Sequence, residues 1–303
     1  DKYLHRIYQG HEKETDKPVI ISTWQSLFKL DKKYFEKFGC VVGDEAHLFK
    51  SKSLTTIMTK LIDCKYRFGM TGTLDGTQTH RLVLEGLFGK VEKVTTTKEL
   101  MDKDTLANLK IKCIVLKHKQ EDCKVVKDLK YSEELQYIVA HNTRNQFITR
   151  LCDKLRGNTL CLYQLVEKHG VGLYNAMKDF DRKVFFIHGG TDTETREQIR
   201  EITEKETNAI IVASYGTFST GINIRNLHNV VFASPSKSRI RVLQSIGRGL
   251  RRPNMGEVHT TLLDIADDFT YNDRKNFTLN HFLERINIYN EEEFDYEIDK
   301  VRL

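Results

Sequence analysis

The chain has 303 residues, of which 39% are hydrophobic and 30% charged, and its formal net charge is +6. This length predicts about two domains, at roughly 100–200 residues each. No apolar run approaches the roughly 20 residues of a membrane span, so we expect no membrane partner. The six cysteines form no CxxC pair, which predicts free thiols in a reducing, cytoplasmic compartment and argues against a zinc site.

The charge is unevenly distributed along the chain. Residues 291–299 carry six acidic and no basic side chains, so the remainder is more basic than the total suggests. A basic excess is compatible with a nucleic-acid partner, although it does not establish one. We interpret the acidic segment as a solvated C-terminal extension.

Short apolar runs in the N-terminal third predict strands, with a helix at residues 53–62 between the second and the third. These strands are residues 17–23, 40–43 and 66–70. Polar residues follow each strand directly, which is typical of a parallel sheet whose ligands bind at the carboxyl ends of its strands. The pattern loosens near residues 99–110, and we therefore predict two domains, residues 1–110 and 111–303.

The second domain is predicted to be another doubly wound α/β unit. Helical patterns occur at residues 194–205 and, as one long helix, at residues 132–155. The predicted strands are residues 111–117, 159–163, 183–187, 209–213, 229–233 and 258–264. The predicted fold class is thus α/β with two doubly wound parallel-sheet domains.

The sequence DEAH at residues 44–47 directly follows a predicted strand. Asp44 could hold Mg²⁺ through water, because this ion keeps most of its hydration shell. Glu45 could then orient and deprotonate a water molecule that attacks a γ-phosphate. The alternative is an Asp N-cap with a Glu in the first helical turn, but the complete tetrapeptide at a strand end favours phosphate chemistry.

Two segments rich in hydroxyl groups also follow predicted strands. The sequence TGT at residues 71–73 lies one βα unit beyond Asp44, and Thr71 and Thr73 are interpreted as reporters from a nucleotide site to a domain interface. Residues 214–223 supply hydroxyl and backbone N–H groups that suit a phosphodiester backbone or a ribose, although a plain Ser/Thr/Gly loop is equally compatible. No metal-ligand cluster is apparent in the sequence.

A helix predicted from residue 239 onward places Gln244, Arg248 and Arg251 on one face, at about 100° per residue. Gly247 and Gly249 have no side chains, so a ligand or a partner backbone could approach this face closely. Arg presents a planar fork to phosphate oxygens, so the face suits a polyanion. A solvated basic face on an amphipathic helix is the alternative.

Taken in order, these segments resemble the motifs of superfamily-two helicases. The motifs are DEAH, TGT, STGIN at residues 219–223 and QxxGRxxR at residues 244–251. The sequence STWQSL at residues 22–27 looks like the DNA-contacting motif of that family. Residues 192–196 and 211–221 are most similar to the UvsW-like helicases of T-even-like phages. The resemblance covers nearly the whole chain.

The resemblance implies two RecA-like domains with ATP and Mg²⁺ in the cleft between them. Asp44 would bind the metal, Glu45 would be the general base, and Arg248 and Arg251 would be arginine fingers. The other residues implied in the nucleotide site are His47, Gly221, Asn223 and Gln244. The residues implied to contact a nucleic-acid strand are Thr23, Ser214, Tyr215 and Thr217.

The implied activity is ATP-driven unwinding or branch migration on branched or single-stranded DNA and on RNA–DNA hybrids, in the cytoplasm of an infected bacterium. Helicases of this type need a phosphate-binding loop, GxxxxGK[ST], upstream of the DEAH strand. The 43 residues before Asp44 contain none. We therefore expect a first domain truncated at its N-terminus, in a chain that alone hydrolyses little ATP.

Two alternatives remain open at this point. A double-stranded DNA translocase, such as the motor subunit of a restriction enzyme, uses the same motifs. A nucleic-acid-binding fragment without ATP turnover is compatible with the missing phosphate loop.

Overall fold

The first unit of the chain contains two pairs of parallel strands, and the strands of the second pair lead directly into the DEAH and TGT segments. Strand β1 (Leu4–Ile7) pairs with β2 (Val19–Ser22), and β3 (Cys40–Gly43) pairs with β4 (Tyr66–Gly69). The helices of this unit are α1 (Trp24–Leu27), α2 (Lys32–Phe35), a 3₁₀ helix at Ala46–Lys50, α3 (Lys52–Lys60) and α4 (Gln78–Phe88). The predicted strands and the helix after the DEAH segment are confirmed, whereas β1 was not predicted from its sequence.

This computed structural model divides into two units, Asp1–Lys93 and Val94–Leu303. The residues it describes are 2–8, 11–72, 74, 78–103, 108–221, 224, 226–236, 238 and 259–303. Five candidate site residues lie outside them: Thr73, Asn223, Gln244, Arg248 and Arg251. The helix predicted from residue 239 onward, with Gly247 and Gly249, also lies outside the described residues. Within the described ranges, no helix is both long enough and apolar enough to cross a membrane.

The second unit is built on a parallel sheet with the strand order β11-β5-β10-β9-β6-β8-β7. Its strands are β5 (Asn108–Lys117), β6 (Thr159–Tyr163), β7 (Val184–Ile187), β8 (Ile210–Ser214), β9 (Asn229–Phe232), β10 (His259–Asp268) and β11 (Tyr296–Arg302). Every residue of β6, β8 and β9 is buried, because helices cover both faces of a doubly wound sheet. The predicted fold class is confirmed.

Alternating side chains of the central strands fill two separate cores. Leu160 and Leu162 of β6 belong to one buried cluster, while Cys161 and Tyr163 belong to the other. This is the two-residue periodicity of a strand with both faces covered. The covering helices are α5 (Thr97–Asp102), α6 (Gln120–Val126), α7 (Tyr131–Ala140), α8 (Asn142–Lys154), α9 (Val171–Met177), α10 (Thr193–Lys205), α11 (Tyr215–Gly221) and α12 (Phe277–Glu291).

The single helix predicted over residues 132–155 is wrong, because the chain breaks at His141. This residue has an extended conformation, with φ −71° and ψ 111°, between α7 and α8. Its Nδ1 atom accepts a hydrogen bond from the backbone N–H of Arg144 at 3.3 Å. Because His141 is the N-cap of α8, α7 ends one residue before it. The apolar positions nevertheless continue from α7 into α8, which is why the sequence predicted one helix.

The division between the units precedes the boundary expected after residue 110. Met101 and Leu109 pack against the core of the large sheet. Strand β5 pairs with both β10 and β11 along its length. Residue 110 therefore lies within a strand of the second unit.

Two glycines bring aromatic rings close to the carboxyl ends of β3 and β4. A Cβ atom added at Gly43 would meet the Phe49 ring at 2.7 Å, and one added at Gly69 would meet the Phe88 ring at 2.9 Å. The rings of Phe49 and Phe88 pack edge to face, with centroids 5.0 Å apart. A side chain at either glycine would therefore displace the aromatic pair that supports both strand ends.

We expect Gly69→Ala to lower the free energy of unfolding of the first unit by about 1–3 kcal/mol, because the added methyl group overpacks this contact. Trp24 is the single tryptophan of the chain and lies in this unit, so urea unfolding followed by its fluorescence measures the effect. Gly86→Ala is the matched control, because this exposed position in α4 has open space around an added Cβ. The control should raise stability by about 0.5–1 kcal/mol. Equal effects of the two substitutions would contradict the packing argument.

Candidate nucleotide and nucleic-acid site

The DEAH segment forms a strained turn that the end of β4 holds in place. Glu45 adopts a left-handed conformation with φ 48° and ψ 50°, which costs free energy for a residue with a side chain. Backbone bonds of 2.8 Å run from Met70 N–H to the Gly43 carbonyl and from Ala46 N–H to the Met70 carbonyl. The turn is therefore fixed against the residue that immediately precedes the TGT segment.

His47 lies beneath this turn and links the two motifs. It is buried, and its Nδ1 atom lies 2.9 Å from the Thr71 hydroxyl and 3.3 Å from a carboxylate oxygen of Glu45. Burial lowers the pKa of His47, while the Glu45 carboxylate opposes this shift and Lys50 adds to it. The ring is therefore neutral at pH 7 and joins Glu45 to Thr71 by polar contacts.

The carboxylates of this turn remain open to solvent. Asp44 is exposed and Glu45 is partly exposed. Oδ1 of Asp44 accepts the Glu45 backbone N–H at 2.8 Å, which fixes the orientation of the carboxylate. An oriented, accessible carboxylate at a strand end fits Mg²⁺ held through water, since this ion prefers oxygen ligands and retains much of its hydration shell.

In the second unit, the residues after β8 bond to one another and to the core. The Ser214 and Thr217 hydroxyls are 2.7 Å apart, and both side chains are buried. Tyr215 is 1% exposed, and its hydroxyl donates to the Ser234 carbonyl at 3.0 Å. The loop expected over residues 214–223 is wrong for Tyr215–Gly221, which form α11. Gly216 is exposed at the start of this helix, whereas the side chains of Ser214, Tyr215 and Thr217 are buried and stabilise the junction of β8 with α11.

The other residues singled out in the sequence are distributed as follows. Thr23 is exposed at the N-cap of α1, and its hydroxyl lies 3.1 Å from that of Ser26. Gly221 ends α11. In the part of the chain that the structure describes, the first unit thus brings Asp44, Glu45, His47 and Thr71 together.

Three buried side chains hold the segment that leads from β9 toward the arginine motif. Arg144, Tyr215 and Arg285 donate hydrogen bonds of 2.8–3.0 Å to the carbonyls of residues 233, 234 and 236, respectively. Sequence reasoning missed both arginines. Their only signal was Asp264 and Asp267, two acidic residues beside the apolar positions 262, 263, 265 and 266 of β10.

These arginines are oriented by the two aspartates of β10. Arg285 contacts both oxygens of Asp264 at 2.7 and 2.8 Å, and Arg144 contacts both oxygens of Asp267 at 2.8 and 2.9 Å. Burial alone would raise the pKa of Asp267, but Arg144 and the hydrogen bond from His118 outweigh it and lower the pKa to about 2. Charged pairs without exposed surface thus set the positions of the guanidinium groups.

The comparisons with known proteins follow the same division of the chain. The family described as type III restriction enzyme, res subunit, matches residues 1–76, and the helicase conserved C-terminal domain matches residues 143–253. In its motifs and fold, the chain resembles the superfamily-two helicases.

Within this class the chain resembles UvsW. It is 36% identical to the ATP-dependent DNA helicase UvsW of phage T4 over 96% of this chain and 60% of that protein. The crystal structure of T4 UvsW matches with a TM-score of 0.57 at 34% identity, over 99% of this chain and 62% of the other. The chain thus spans about 60% of the length of this relative.

A second solved structure shows the fold alone. A fragment of an HsdR-type subunit of a type I restriction enzyme from Vibrio vulnificus matches with a TM-score of 0.73 at 17% identity. The match covers 99% of this chain and 55% of that one.

His169 contacts the segment at residues 233–236, and its titration offers a test of this contact. Its Nδ1 atom lies 2.8 Å from the Ser234 hydroxyl, and its Nε2 atom lies 3.2 Å from Oδ1 of Asn145. Asn145 donates its amide to the Val139 carbonyl, so Oδ1 accepts from Nε2, and Nδ1 is left to accept from Ser234. Burial, with a smaller contribution from Arg144, lowers the pKa of His169 to about 3.

We expect acidification to destabilise the second unit through His169. The unfolded state takes up a proton near pH 6.5, whereas the folded state does so near pH 3, so stability is complete above pH 6.5 and falls as the pH drops. Between pH 7 and 5 the loss should be about 2 kcal/mol. Chemical unfolding followed by circular dichroism at several pH values measures it. His169→Gln should remove this component, and parallel pH profiles for the two proteins would contradict the assignment.

Proposed function

We propose that this chain is the motor region of an ATP-dependent DNA helicase. It would act on branched DNA or RNA–DNA hybrids and drive branch migration during recombination, repair and replication restart, in the cytoplasm of a phage-infected bacterium. One observation carries the proposal: Asp44 and Glu45 are held at the end of β3 beside His47 and Thr71, in a chain 36% identical to UvsW.

The first unit supplies the groups for ATP hydrolysis. Asp44 would hold Mg²⁺ through water, where the ion would supply charge neutralisation on the phosphates. Glu45 orients the attacking water and accepts its proton. His47 is neutral and contacts both Glu45 and Thr71, so a change at the carboxylate is passed directly to the TGT segment.

The second unit supplies the groups that bind the γ-phosphate. Arg248 and Arg251 act as arginine fingers, with Gln244, Gly221 and Asn223 in the same nucleotide site. Such fingers contribute about 10³–10⁵ to turnover in related phosphoryl-transfer enzymes. The segment at residues 233–236, whose carbonyls accept from Arg144, Tyr215 and Arg285, precedes this motif in the sequence.

A nucleic-acid strand would contact both units. Thr23 is exposed beside Trp24, which is 39% exposed. Because the side chains of Ser214, Tyr215 and Thr217 are buried, their contribution to the strand is made through backbone groups around the exposed Gly216. Contacts of this type read the phosphodiester backbone rather than the bases.

We expect Glu45→Gln to lower DNA-stimulated ATP turnover of the full-length protein by about 10²–10⁴-fold, because the amide cannot accept the proton of the attacking water. Binding of a fluorescent ATP analogue should persist. Turnover is measured with a synthetic four-way DNA junction, and Glu36→Gln, at an exposed position of the same unit, is the matched control. Full activity of Glu45→Gln, or no stimulation of the parent protein by DNA, would refute the proposal.

The match of residues 1–76 to a restriction-enzyme subunit favours one second candidate, a double-stranded DNA translocase. The two functions differ in their products. A helicase separates the arms of a junction, whereas a translocase displaces a triplex-forming strand from intact duplex DNA. Triplex displacement without strand separation would favour the translocase.

The 303 residues contain no GxxxxGK[ST] loop, so we expect this chain alone to bind ATP weakly while still binding DNA. A comparison of residues 1–303 with the full-length protein, for both ligands, tests the third possibility of a binding fragment. Equal ATP turnover by the two proteins would contradict this expectation.

A further inference from the structure

Three side chains from separate elements of the second unit converge at one end of β5. His118 directly follows β5, Asp122 lies in α6, and His141 caps α8. Each offers one ligand atom, and these atoms lie within 4.8 Å of one another. The sequence did not suggest this cluster, because His141 is 19 positions beyond Asp122 and meets His118 and Asp122 only in the folded structure.

The state of His118 favours a metal ligand. Its Nε2 atom lies 2.9 Å from Oδ1 of Asp267, and a carboxylate can only accept, so Nε2 carries the proton. The other nitrogen, Nδ1, is therefore the one available to bind an ion, and it is buried with no hydrogen-bond partner among the described residues. A histidine whose second nitrogen donates to a carboxylate is the usual arrangement of a metal-ligating imidazole. Stacking on Phe269, at 3.7 Å between centroids, fixes the plane of the ring.

The other two residues are also oriented. Oδ1 of Asp122 accepts the Tyr137 hydroxyl at 2.7 Å, while Oδ2 lies 3.5 Å from Nε2 of His141. Two zinc ligands at about 2.05 Å and a tetrahedral angle are separated by about 3.4 Å, so this pair already has the required spacing. The side chains of Asp122 and His141 are 25% and 15% exposed, which gives an ion a path from solvent.

We propose that His118, Asp122 and His141 bind Zn²⁺ through two nitrogens and one oxygen, with water as the fourth ligand. Imidazole ligands and four-fold coordination favour Zn²⁺ over Mg²⁺, which prefers six oxygen ligands. The site is therefore separate from the proposed nucleotide chemistry at Asp44. The ion joins the end of β5 to α6 and to the first turn of α8.

Binding through Nε2 has a consequence for the backbone. This nitrogen must then present its lone pair, so the proton moves to Nδ1, which now accepts the Arg144 N–H. That cap bond is released when the ion binds. Faster hydrogen exchange at the Arg144 amide is a signature specific to His141 as a ligand.

The test measures Zn²⁺ binding by calorimetry on the full chain after chelator treatment, in a Cys40→Ser background that removes the exposed thiol. Co²⁺ serves as a spectroscopic probe, and Mg²⁺ as the control ion. We expect one equivalent of Zn²⁺, visible ligand-field absorption with Co²⁺ and no competition by Mg²⁺. Failure of the background protein to take up Zn²⁺ would overturn the proposal.

Variants that keep the helix cap at residue 141 and the acceptor at residue 122 identify the ligands. His141→Asn keeps a good helix cap and should weaken Zn²⁺ binding by more than about 100-fold, as should Asp122→Asn, which can still accept from Tyr137. Tyr137→Phe removes only the support of Asp122 and should cost about 10-fold. His5→Asn, in the first unit, is the matched control and should bind normally. Unchanged affinity in both His141→Asn and Asp122→Asn, with folding verified by circular dichroism, would overturn the assignment.

Discussion

The second unit depends on two carboxylates buried in the middle of its sheet. Asp264 and Asp267 of β10 have no exposed side-chain surface, and each holds a buried guanidinium in two-point contact. Removing one partner of such a pair leaves an unpaired buried charge, at a cost of about 3–5 kcal/mol. The two arginines then reach across to carbonyls of residues 233–236. The path of the chain after β9 is thus set by charges on the neighbouring strand.

In the first unit, the DEAH turn is held in position by contacts between uncharged groups. This turn is fixed by backbone hydrogen bonds to the end of β4 and by Phe49 and Phe88, which pack where Gly43 and Gly69 have no side chains. The left-handed conformation at Glu45 costs free energy, and this packing offsets it. Here close contact between neutral groups holds two solvent-facing carboxylates, whereas in the second unit buried charges hold neutral carbonyls.

The sequence predicted those parts of the structure that depend on residues close together in the chain, and it did not predict those that depend on contacts between distant residues. Strands β6, β8 and β9 were predictable because a strand buried on both faces appears as a continuous apolar run. Edge strand β11 was not, since YEIDKVR carries exposed charged side chains on both of its faces and has no apolar run. The DEAH turn was recognisable because its residues are adjacent. The Arg144–Asp267 contact joins residues 123 positions apart, and no local pattern encodes it.

Asp267 also explains why this core retains charge at all. An apolar replacement of a buried ion pair often preserves stability, so stability alone does not require Arg144 and Asp267. The orientation of the guanidinium does require the pair. Nε of Arg144 contacts both oxygens of Asp267, and Nη2 is thereby positioned to donate to the Ala233 carbonyl. The same carboxylate fixes the proton of His118 on Nε2 and so leaves Nδ1 as an acceptor. One buried acid therefore orients both the guanidinium that binds the Ala233 carbonyl and the ring of His118, which an apolar side chain of equal volume could not do.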